Sequence, residues 1–161
     1  MKTKKHKIIK ISSLFFAVIM LFSIFACAPF TVSAEEVYGD FTYEYFASDG
    51  QNLAAITSYS GNESNLTIPS TIDGYEVCVI AANVFVHNDF LKSVTIPESI
   101  IAIGDNAFAG CRNLEKISIK NNVALIGMDA FYGTAYANNS KNWNDDVLYV
   151  GNYACDSKDG I

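Results

Sequence analysis

The sequence predicts a β-rich α/β solenoid, a right-handed superhelix of about three short coils. The main observation is a set of apolar residues that recur every 23 residues along the middle of the chain. A fixed period of this length, with aliphatic residues separated by one position, is typical of proteins that stack one supersecondary unit on the next. The recurring positions are Ile80, Ile103 and Ile126, then Phe85, Phe108 and Phe131, and the pairs Leu91 and Leu114, Val94 and Ile117, and Ile96 and Ile119.

Each coil is predicted to begin with a short strand. The strands are Leu66-Thr67-Ile68, Val94-Thr95-Ile96 and Ile117-Ser118-Ile119. Because successive side chains of a strand point to opposite faces, the aliphatic residues face the core and the residues between them face outward. Each recurring Phe is expected to fill the space between coils. The first coil is five residues longer than the second, and Asp73-Gly74-Tyr75-Glu76 is predicted to form a protruding turn that takes up the difference. We assign the coils to residues 63–134.

The segments on either side of the coils are predicted to be caps. Residues 35–62 contain two strand candidates, Tyr38–Tyr45 and Leu53–Tyr59, around a polar turn, which predicts an N-terminal β-hairpin cap. Residues 135–161 form a C-terminal capping or linking segment with an aromatic hairpin around Gly151-Asn152. Since one coil cannot bury its apolar side alone, a stack of about three coils is expected to depend on its caps.

Residues 1–34 are predicted to be a secretory signal peptide. The first ten residues hold five lysines and no acid, Leu14–Phe25 is apolar apart from one serine, and Val32-Ser33-Ala34 supplies small residues before a cut. A retained membrane helix is the weaker alternative because a span needs about 20 apolar residues. A third interpretation is that Cys27 is the lipidated residue of a lipoprotein. Cleavage after Ala34 and lipidation at Cys27 both place the chain outside the cytoplasm, with no membrane span once the signal is removed.

The charge balance argues against nucleic acid as a partner. Removal of the signal takes five of the 11 basic residues and none of the 17 acidic ones, leaving six against 17 and a net charge of −11. Nucleic-acid binding depends on clustered lysine and arginine that release counterions from phosphates. Solubility outside the cell accounts for the acidity more simply than an acidic binding site does.

The parts needed for catalysis are missing from the sequence, which predicts no enzyme, no cofactor and no metal site. The mature chain keeps Cys78, Cys111 and Cys155, an odd number, and Cys111 is predicted to be a buried free thiol that packs as a small hydrophobe. The only histidine available as a base is His87. Asp145-Asp146 lacks the residue pattern of a calcium loop. Paired carboxylates of a glycosidase stay an alternative in so acidic a chain.

The repeat unit resembles a known family. Its pattern, Leu91-x-x-Val94-x-Ile96-Pro97 followed by Ile100-x-x-Ile103-Gly104-x-x-Ala107-Phe108-x-x-Cys111, looks like the 23-residue leucine-rich repeat of the BspA-type bacterial surface proteins. Departures from the pattern are Val84-Phe85, Ala81 in place of Gly, and Lys120 in place of Pro. The resemblance implies a secreted or surface-attached binding protein of bacteria that live with a host, some members adhering to extracellular matrix proteins.

The outward residues of the predicted strands form the candidate binding surface, which we call the strand stripe. Its members are Asn65, Thr67, Ser93, Thr95, Lys116, Ser118 and Lys120. Stacked coils would place Thr67, Thr95 and Ser118 in one ladder and Asn65, Ser93 and Lys116 in another. We expect this concave stripe to contact an extracellular or host-surface protein. The simpler interpretation is that small polar residues only solvate an exposed sheet.

Two alternative functions also fit the sequence. In the first, the chain is a structural spacer in a larger surface assembly. In the second, it binds carbohydrate through the aromatic residues of its last third. Those aromatic residues are Tyr132, Tyr136, Trp143, Tyr149 and Tyr153, and packing of the cap is the simpler interpretation of them. The pattern leaves the ligand and the oligomeric state undetermined.

Overall fold

The computed structural model describes residues 31–32, 34–48, 51–120 and 122–157. The predicted signal peptide therefore lies almost entirely outside the described residues. Among the residues described, no helix has both the length and the apolar character needed to cross a membrane. The elements are β1 (Thr31–Val32), β2 (Glu36–Tyr38), β3 (Phe41–Ser48), β4 (Gln51–Tyr59), β5 (Asn65–Thr67), β6 (Thr71–Ile72), β7 (Tyr75–Ile80), β8 (Ser93–Ile96), β9 (Ala102–Ile103), β10 (Lys116–Ile119), β11 (Leu125–Ile126), a 3₁₀ helix (Ser140–Asn142), β12 (Trp143–Asn144), β13 (Val147–Val150) and β14 (Tyr153–Ser157).

Each coil contributes one strand to each of two sheets, and the strands of successive coils pair in parallel. On one side, β5, β8 and β10 form a three-stranded sheet in which β8 is central. On the other side, β7, β9 and β11 pair in parallel as part of an eight-stranded sheet. The aliphatic side chains of both sets of strands meet in one hydrophobic core. The structure is thus a β-solenoid of about three coils, which confirms that part of the predicted fold.

The recurring phenylalanines form a stack through the centre of the solenoid. The ring centroids of Phe85 and Phe108 lie 4.8 Å apart, and those of Phe108 and Phe131 lie 5.4 Å apart, with nearly parallel planes. All three residues are fully buried. The ring of Tyr59 packs against Phe85 with its centroid 5.2 Å away, but it is tilted by 48° and so is not part of the parallel stack. The predicted role of the phenylalanines, to fill the space between coils, is confirmed.

The α component of the predicted α/β fold is wrong for the described residues, which contain no α-helix. The segments around the stacked phenylalanines are tight turns closed by hydrogen bonds across three residues, such as Val86 N–H to Asn83 O at 3.3 Å. Each turn begins and ends with a residue in the left-handed region, four positions apart, which interrupts any helix. The φ values are 63°, 55° and 54° for Asn83, Asn106 and Asp129, and 57°, 72° and 70° for His87, Gly110 and Gly133.

The extra length of the first coil is a protruding hairpin, as predicted. β6 and β7 pair antiparallel with Ile72 opposite Tyr75, so that Asp73 and Gly74 form the two-residue turn. Both have positive φ, of 49° and 84°, which is the geometry of a type I′ turn. The Tyr43 hydroxyl donates to Asp73 Oδ2 at 2.7 Å and so ties the turn to the N-terminal hairpin. Burial, together with the Asp73 carboxylate, raises the pKa of Tyr43 to about 12.

The N-terminal hairpin shares a sheet with the coils. β3 and β4 pair antiparallel from Phe41 opposite Tyr59 to Ser48 opposite Gln51, and β4 then pairs in parallel with β7. β4 therefore occupies the place of the coil strand that would precede β7. The sheet position agrees with a capping role for residues 35–62, and that role stays a prediction.

The C-terminal segment, residues 135–157, packs against the third coil. β12, β13 and β14 form an antiparallel sheet, and Val150 of β13 is buried in the same core cluster as Phe131. Gly151 has φ of 61° and lies beside Ile119, whose side chain would be 3.0 Å from a Cβ at this position. The segment thus covers part of the coil that begins at β10.

Candidate binding surface

The parallel register of β5, β8 and β10 sets the geometry of the strand stripe. Asn65 and Lys116 both lie opposite Ser93, and Thr67 and Ser118 both lie opposite Thr95. The two ladders named from the sequence are therefore present, with neighbouring strands about 4.8 Å apart. Lys120 lies one position past the end of β10. The structure brings together all seven residues of the stripe on one sheet or at its edge.

Most of the stripe is open to solvent. Thr67, Thr95 and Ser118 are exposed along the whole of their ladder. In the other ladder Asn65 and Lys116 are exposed and Ser93 is half-buried. Ser93 Oγ donates to Asn65 Oδ1 at 2.7 Å, so this pair is linked across the first two coils. The open ladder of hydroxyls has the greater capacity for new hydrogen bonds.

Buried neighbours hold the stripe in place. Leu66, Val94 and Ile117 lie in register on the opposite face of the sheet, where the first two are buried and the third is half-buried. Backbone hydrogen bonds also link the turns that enter the strands, from Lys92 N–H to Ser64 O at 2.7 Å and from Glu115 N–H to Lys92 O at 2.9 Å. The outward side chains are thus carried by a rigid backbone and can be changed without a change of fold.

The positive charge of the stripe lies on its third coil. Lys116 and Lys120 are both exposed, at the start of β10 and just beyond its end. The Lys120 carbonyl accepts a hydrogen bond from the Tyr153 hydroxyl at 3.3 Å, which fixes the backbone there to the C-terminal segment. In an acidic chain, these two lysines give the edge strand of the polar sheet a local positive charge.

The aromatic residues of the C-terminal part are mostly used for packing. The Tyr136 hydroxyl donates to Tyr149 O at 2.9 Å, and the Trp143 indole N–H donates to Ala137 O. The Tyr153 hydroxyl also accepts a hydrogen bond from Val123 N–H at 3.1 Å. Tyr132, with 64% of its surface exposed, and Tyr149, with 37%, are the open rings of the group. An extended aromatic platform for sugars is therefore not formed by these five residues.

The thiols are held in their protonated form. Burial raises the pKa of the Cys78 thiol to about 12 and the pKa of the Cys111 and Cys155 thiols to about 11. Cys111 is fully buried and its thiol donates to Phe85 O at 2.9 Å, which confirms the predicted buried free thiol. Since the thiolate is the nucleophile, these groups are poor candidates for covalent chemistry at neutral pH. Within the described residues, no three histidine, cysteine or acidic side chains are grouped so as to hold a metal ion.

The chain belongs to the BspA-type leucine-rich repeat family. Residues 78–159, which are more than half of the 161 residues, match the model of the BspA-type leucine-rich repeat region in six copies. The fold agrees, because strands of successive coils pair in parallel at the offset of 23 residues seen in the sequence. A comparison with curated protein sequences gives no match.

Crystal structures of bacterial leucine-rich repeat proteins are similar to this chain. A leucine-rich cell surface protein from Faecalibacterium prausnitzii is 33% identical over 63% of this chain and 28% of its own, with a TM-score of 0.54. The leucine-rich repeat protein of T. pallidum is 31% identical over 61% of this chain and 45% of its own, with a TM-score of 0.53. One from Bacteroides capillosus is 30% identical over 62% and 75%, with a TM-score of 0.54. The chain thus spans less than half the length of the first two proteins.

One group of side chains was missed by sequence reasoning. Asn138, Ser140 and Asp145 lie around Trp143 at one open cleft of the C-terminal segment. The signal in the sequence was the only tryptophan of the chain, set among asparagine, serine and aspartate. Cap packing is the simpler interpretation of the tryptophan, and the 23-residue period does not determine which of the polar residues come together with it.

Proposed function

We propose that this chain is an exported, non-enzymatic binding module of the bacterial surface that contacts an extracellular protein through its strand stripe. The observation that carries the proposal is the exposed hydroxyl ladder of Thr67, Thr95 and Ser118 on a rigid parallel sheet, with Lys116 beside it. Export rests on the predicted signal peptide, and the surface location is supported by the relative from Faecalibacterium prausnitzii, which is a cell surface protein.

The chemistry of the stripe suits a protein partner with acidic residues. Hydroxyl groups both donate and accept hydrogen bonds, and so match the mixed donors and acceptors of a polypeptide. The lysines add long-range attraction for carboxylates and raise the association rate at low salt. Binding through the stripe should therefore weaken as the ionic strength rises.

The stripe alone is too small to bind a protein partner with high affinity. Three strands about 4.8 Å apart and about four residues long present an area of roughly 190 Å². A stable protein interface buries about 800 Å² on each partner. The residues around the stripe must therefore add contact area, or several such surfaces must act together through avidity.

The test is a pull-down of extracellular-matrix proteins by the exported chain, with and without the double substitution Lys116→Glu and Thr95→Arg. We expect a bound protein to be lost from the variant, because its two substitutions reverse one charge and fill the hydroxyl ladder. A matched control is Arg112→Glu with Tyr132→Arg, which makes the same net charge change at two exposed residues outside the stripe. Circular dichroism of each variant confirms its folding.

The pull-down has three outcomes that test the proposal. A protein retained by the parent and the control but lost from the stripe variant supports the proposal. Equal retention by all three proteins would show that the stripe is not the binding surface. If a folded parent retains no protein from any preparation, the structural spacer becomes the better description.

A further inference from the structure

The C-terminal segment contains an open cleft that shares no residue with the strand stripe. Its volume is about 500 Å³, within the range of small-molecule sites. The lining consists of Ala137, Asn138, Ser140, Trp143, Asp145 and Asp146. One indole, one amide, one hydroxyl and two carboxylates therefore converge on one concave surface.

The indole ring at the cleft is held in a fixed orientation. Its N–H donates to Ala137 O, and the neighbouring Asn142 Nδ2 donates to Tyr136 O at 2.8 Å. Trp143 is half-buried, so part of its surface stays open toward the cleft that it lines. Because the polar end of the indole already has a partner, the ring offers an apolar face rather than a hydrogen-bond donor.

The polar groups on one side of the cleft are carried by a rigid turn. Thr134, which is fully buried, donates from its hydroxyl to Phe131 O at 2.8 Å and accepts from Ala137 N–H at 3.0 Å. Asn138 N–H then donates to Thr134 O at 3.0 Å. The side chains of Asn138 and Ser140 are exposed at the cleft. The turn should therefore lose little conformational freedom when a ligand binds.

The two carboxylates come from the turn between β12 and β13. Pairing of Trp143 with Leu148 and of Asn144 with Val147 leaves Asp145 and Asp146 as a two-residue turn. Both have positive φ, and both side chains are exposed. Carboxylates accept strong hydrogen bonds from hydroxyl and ammonium groups, and they repel other anions.

We propose that this Trp143 cleft binds a pyranose sugar that carries no acidic group, as a site separate from the strand stripe. The apolar C–H face of the sugar ring packs on the indole, while its hydroxyl groups donate to Asp145 and Asp146. Asn138 and Ser140 complete the hydrogen bonds, since each can both donate and accept. Both neutral and amino sugars have this chemistry, whereas sugar acids are repelled by the paired carboxylates.

The experiment uses the fluorescence of Trp143, which is the only tryptophan of the chain and therefore reports on this cleft alone. The full chain is titrated with cellotetraose, with a chitosan tetrasaccharide and with a galacturonic acid tetrasaccharide. We expect a saturable change in emission with the first, the second or both, and none with the third. Agreement with an affinity from titration calorimetry shows that the change reports binding.

Two substitutions locate the site without removal of the ring. Asp145→Ala is expected to weaken binding about tenfold or more, because it removes a hydrogen bond to a charged group. Asn138→Ala should weaken it less. Circular dichroism checks the fold of both variants, because Asp145 has a left-handed φ of 47° that alanine adopts less readily. The control is Tyr149→Ala, which removes an exposed ring of the same segment outside the cleft and should bind as the parent does.

The proposal fails if neither neutral nor amino sugar gives a saturable change, if the acidic sugar binds equally well, or if Asp145→Ala leaves the affinity unchanged. Binding that is lost from Tyr149→Ala rather than Asp145→Ala would also overturn it. The outcome is independent of the strand stripe, because Lys116→Glu with Thr95→Arg should leave the sugar titration unaltered.

Discussion

The repeat array, residues 63–134, and the C-terminal segment differ in the hydrogen bonds that stabilise each of them internally. In the array, backbone groups of one coil bond to backbone groups of the next, as from Phe85 N–H to Ala107 O and from Phe108 N–H to Ala130 O, each at 2.8 Å. In the C-terminal segment, side chains supply many of the bonds, as from the Tyr136 hydroxyl and the Trp143 indole to backbone carbonyls.

This difference determines how strongly the fold of each region depends on individual side chains. A backbone ladder depends on no particular outward side chain, so the strand stripe can vary while the coil is kept. The C-terminal fold depends on individual residues, and its irregular path forms the Trp143 cleft. The array therefore provides a scaffold with a variable surface, and the C-terminal segment provides a specific shape.

The largest effect should come from the centre of the array. Phe108→Ala removes a fully buried ring between two stacked rings, and we expect a loss of about 3–5 kcal/mol in the free energy of unfolding. Urea denaturation followed by circular dichroism measures the loss. Phe90→Ala is the matched control, because 63% of Phe90 is exposed and its removal should change stability by no more than about 0.5 kcal/mol. Similar losses for the two variants would contradict the central role of the stack.

A smaller loss should come from the junction of the two regions. Thr134→Val keeps the shape of the side chain but removes a hydroxyl that bonds to Phe131 O and to Ala137 N–H. The expected loss is about 1–3 kcal/mol, since buried polar groups are left without partners. Thr95→Val makes the same chemical change at an exposed position of the stripe and should cost less than about 0.5 kcal/mol. Hydrogen exchange should show the Thr134 effect first at residues 135–150, and uniform exchange across the chain would argue against a local junction.

The sequence was sufficient for the regular part of the array because one period fixes three things together. It determines which side chains face the core, which strands are neighbours and which outward residues share a ladder. The Phe85 to Phe131 stack, the register of Thr95 with Ser118 and the protruding turn at Asp73-Gly74 followed from that period.

The sequence misled where the backbone conformation departs from what residue types suggest. The predicted α component is wrong because Asn106 and Gly110, on either side of Ala107-Phe108-Ala109, lie in the left-handed region, which interrupts a helix. The Trp143 cleft was beyond prediction for another reason. Residues 135–157 depart from the 23-residue period of the coils, so the approach of Asn138 to Asp145 depends on tertiary packing that this period does not determine.

Alkaline pH should weaken both regions through the buried thiol of Cys111 and the half-buried thiol of Cys155. The pKa of Cys111 in the array and of Cys155 in the C-terminal segment is raised to about 11 by burial, from an ordinary value of 9.0. The folded state thus keeps protons that the unfolded state loses, so the stability conferred by burial is complete below about pH 9 and declines as the pH rises toward 11.

The size of this effect can be measured one thiol at a time. At pH 10 the loss should be about 1 kcal/mol for each thiol, since one unit of pKa shift corresponds to 1.36 kcal/mol. Comparison of urea unfolding at pH 7 and pH 10 for the parent, Cys111→Ala and Cys155→Ala gives each contribution. An equal pH dependence in the parent and in both variants would show that the thiols do not titrate in this window.

The smallest effect concerns an irregularity within the array. His87 stands where the next two coils have Gly110 and Gly133, and it adopts φ of 57°. Left-handed backbone costs a non-glycine residue about 1–2 kcal/mol, whereas glycine loses about 0.5–1 kcal/mol more entropy on folding. His87→Gly should therefore be more stable than His87→Ala by about 0.5–1 kcal/mol, both variants having lost the imidazole. At the neighbouring Val86, which has ordinary φ, the alanine variant should be the more stable of the pair, so the same sign at both positions would show that the left-handed turn at His87 is not strained.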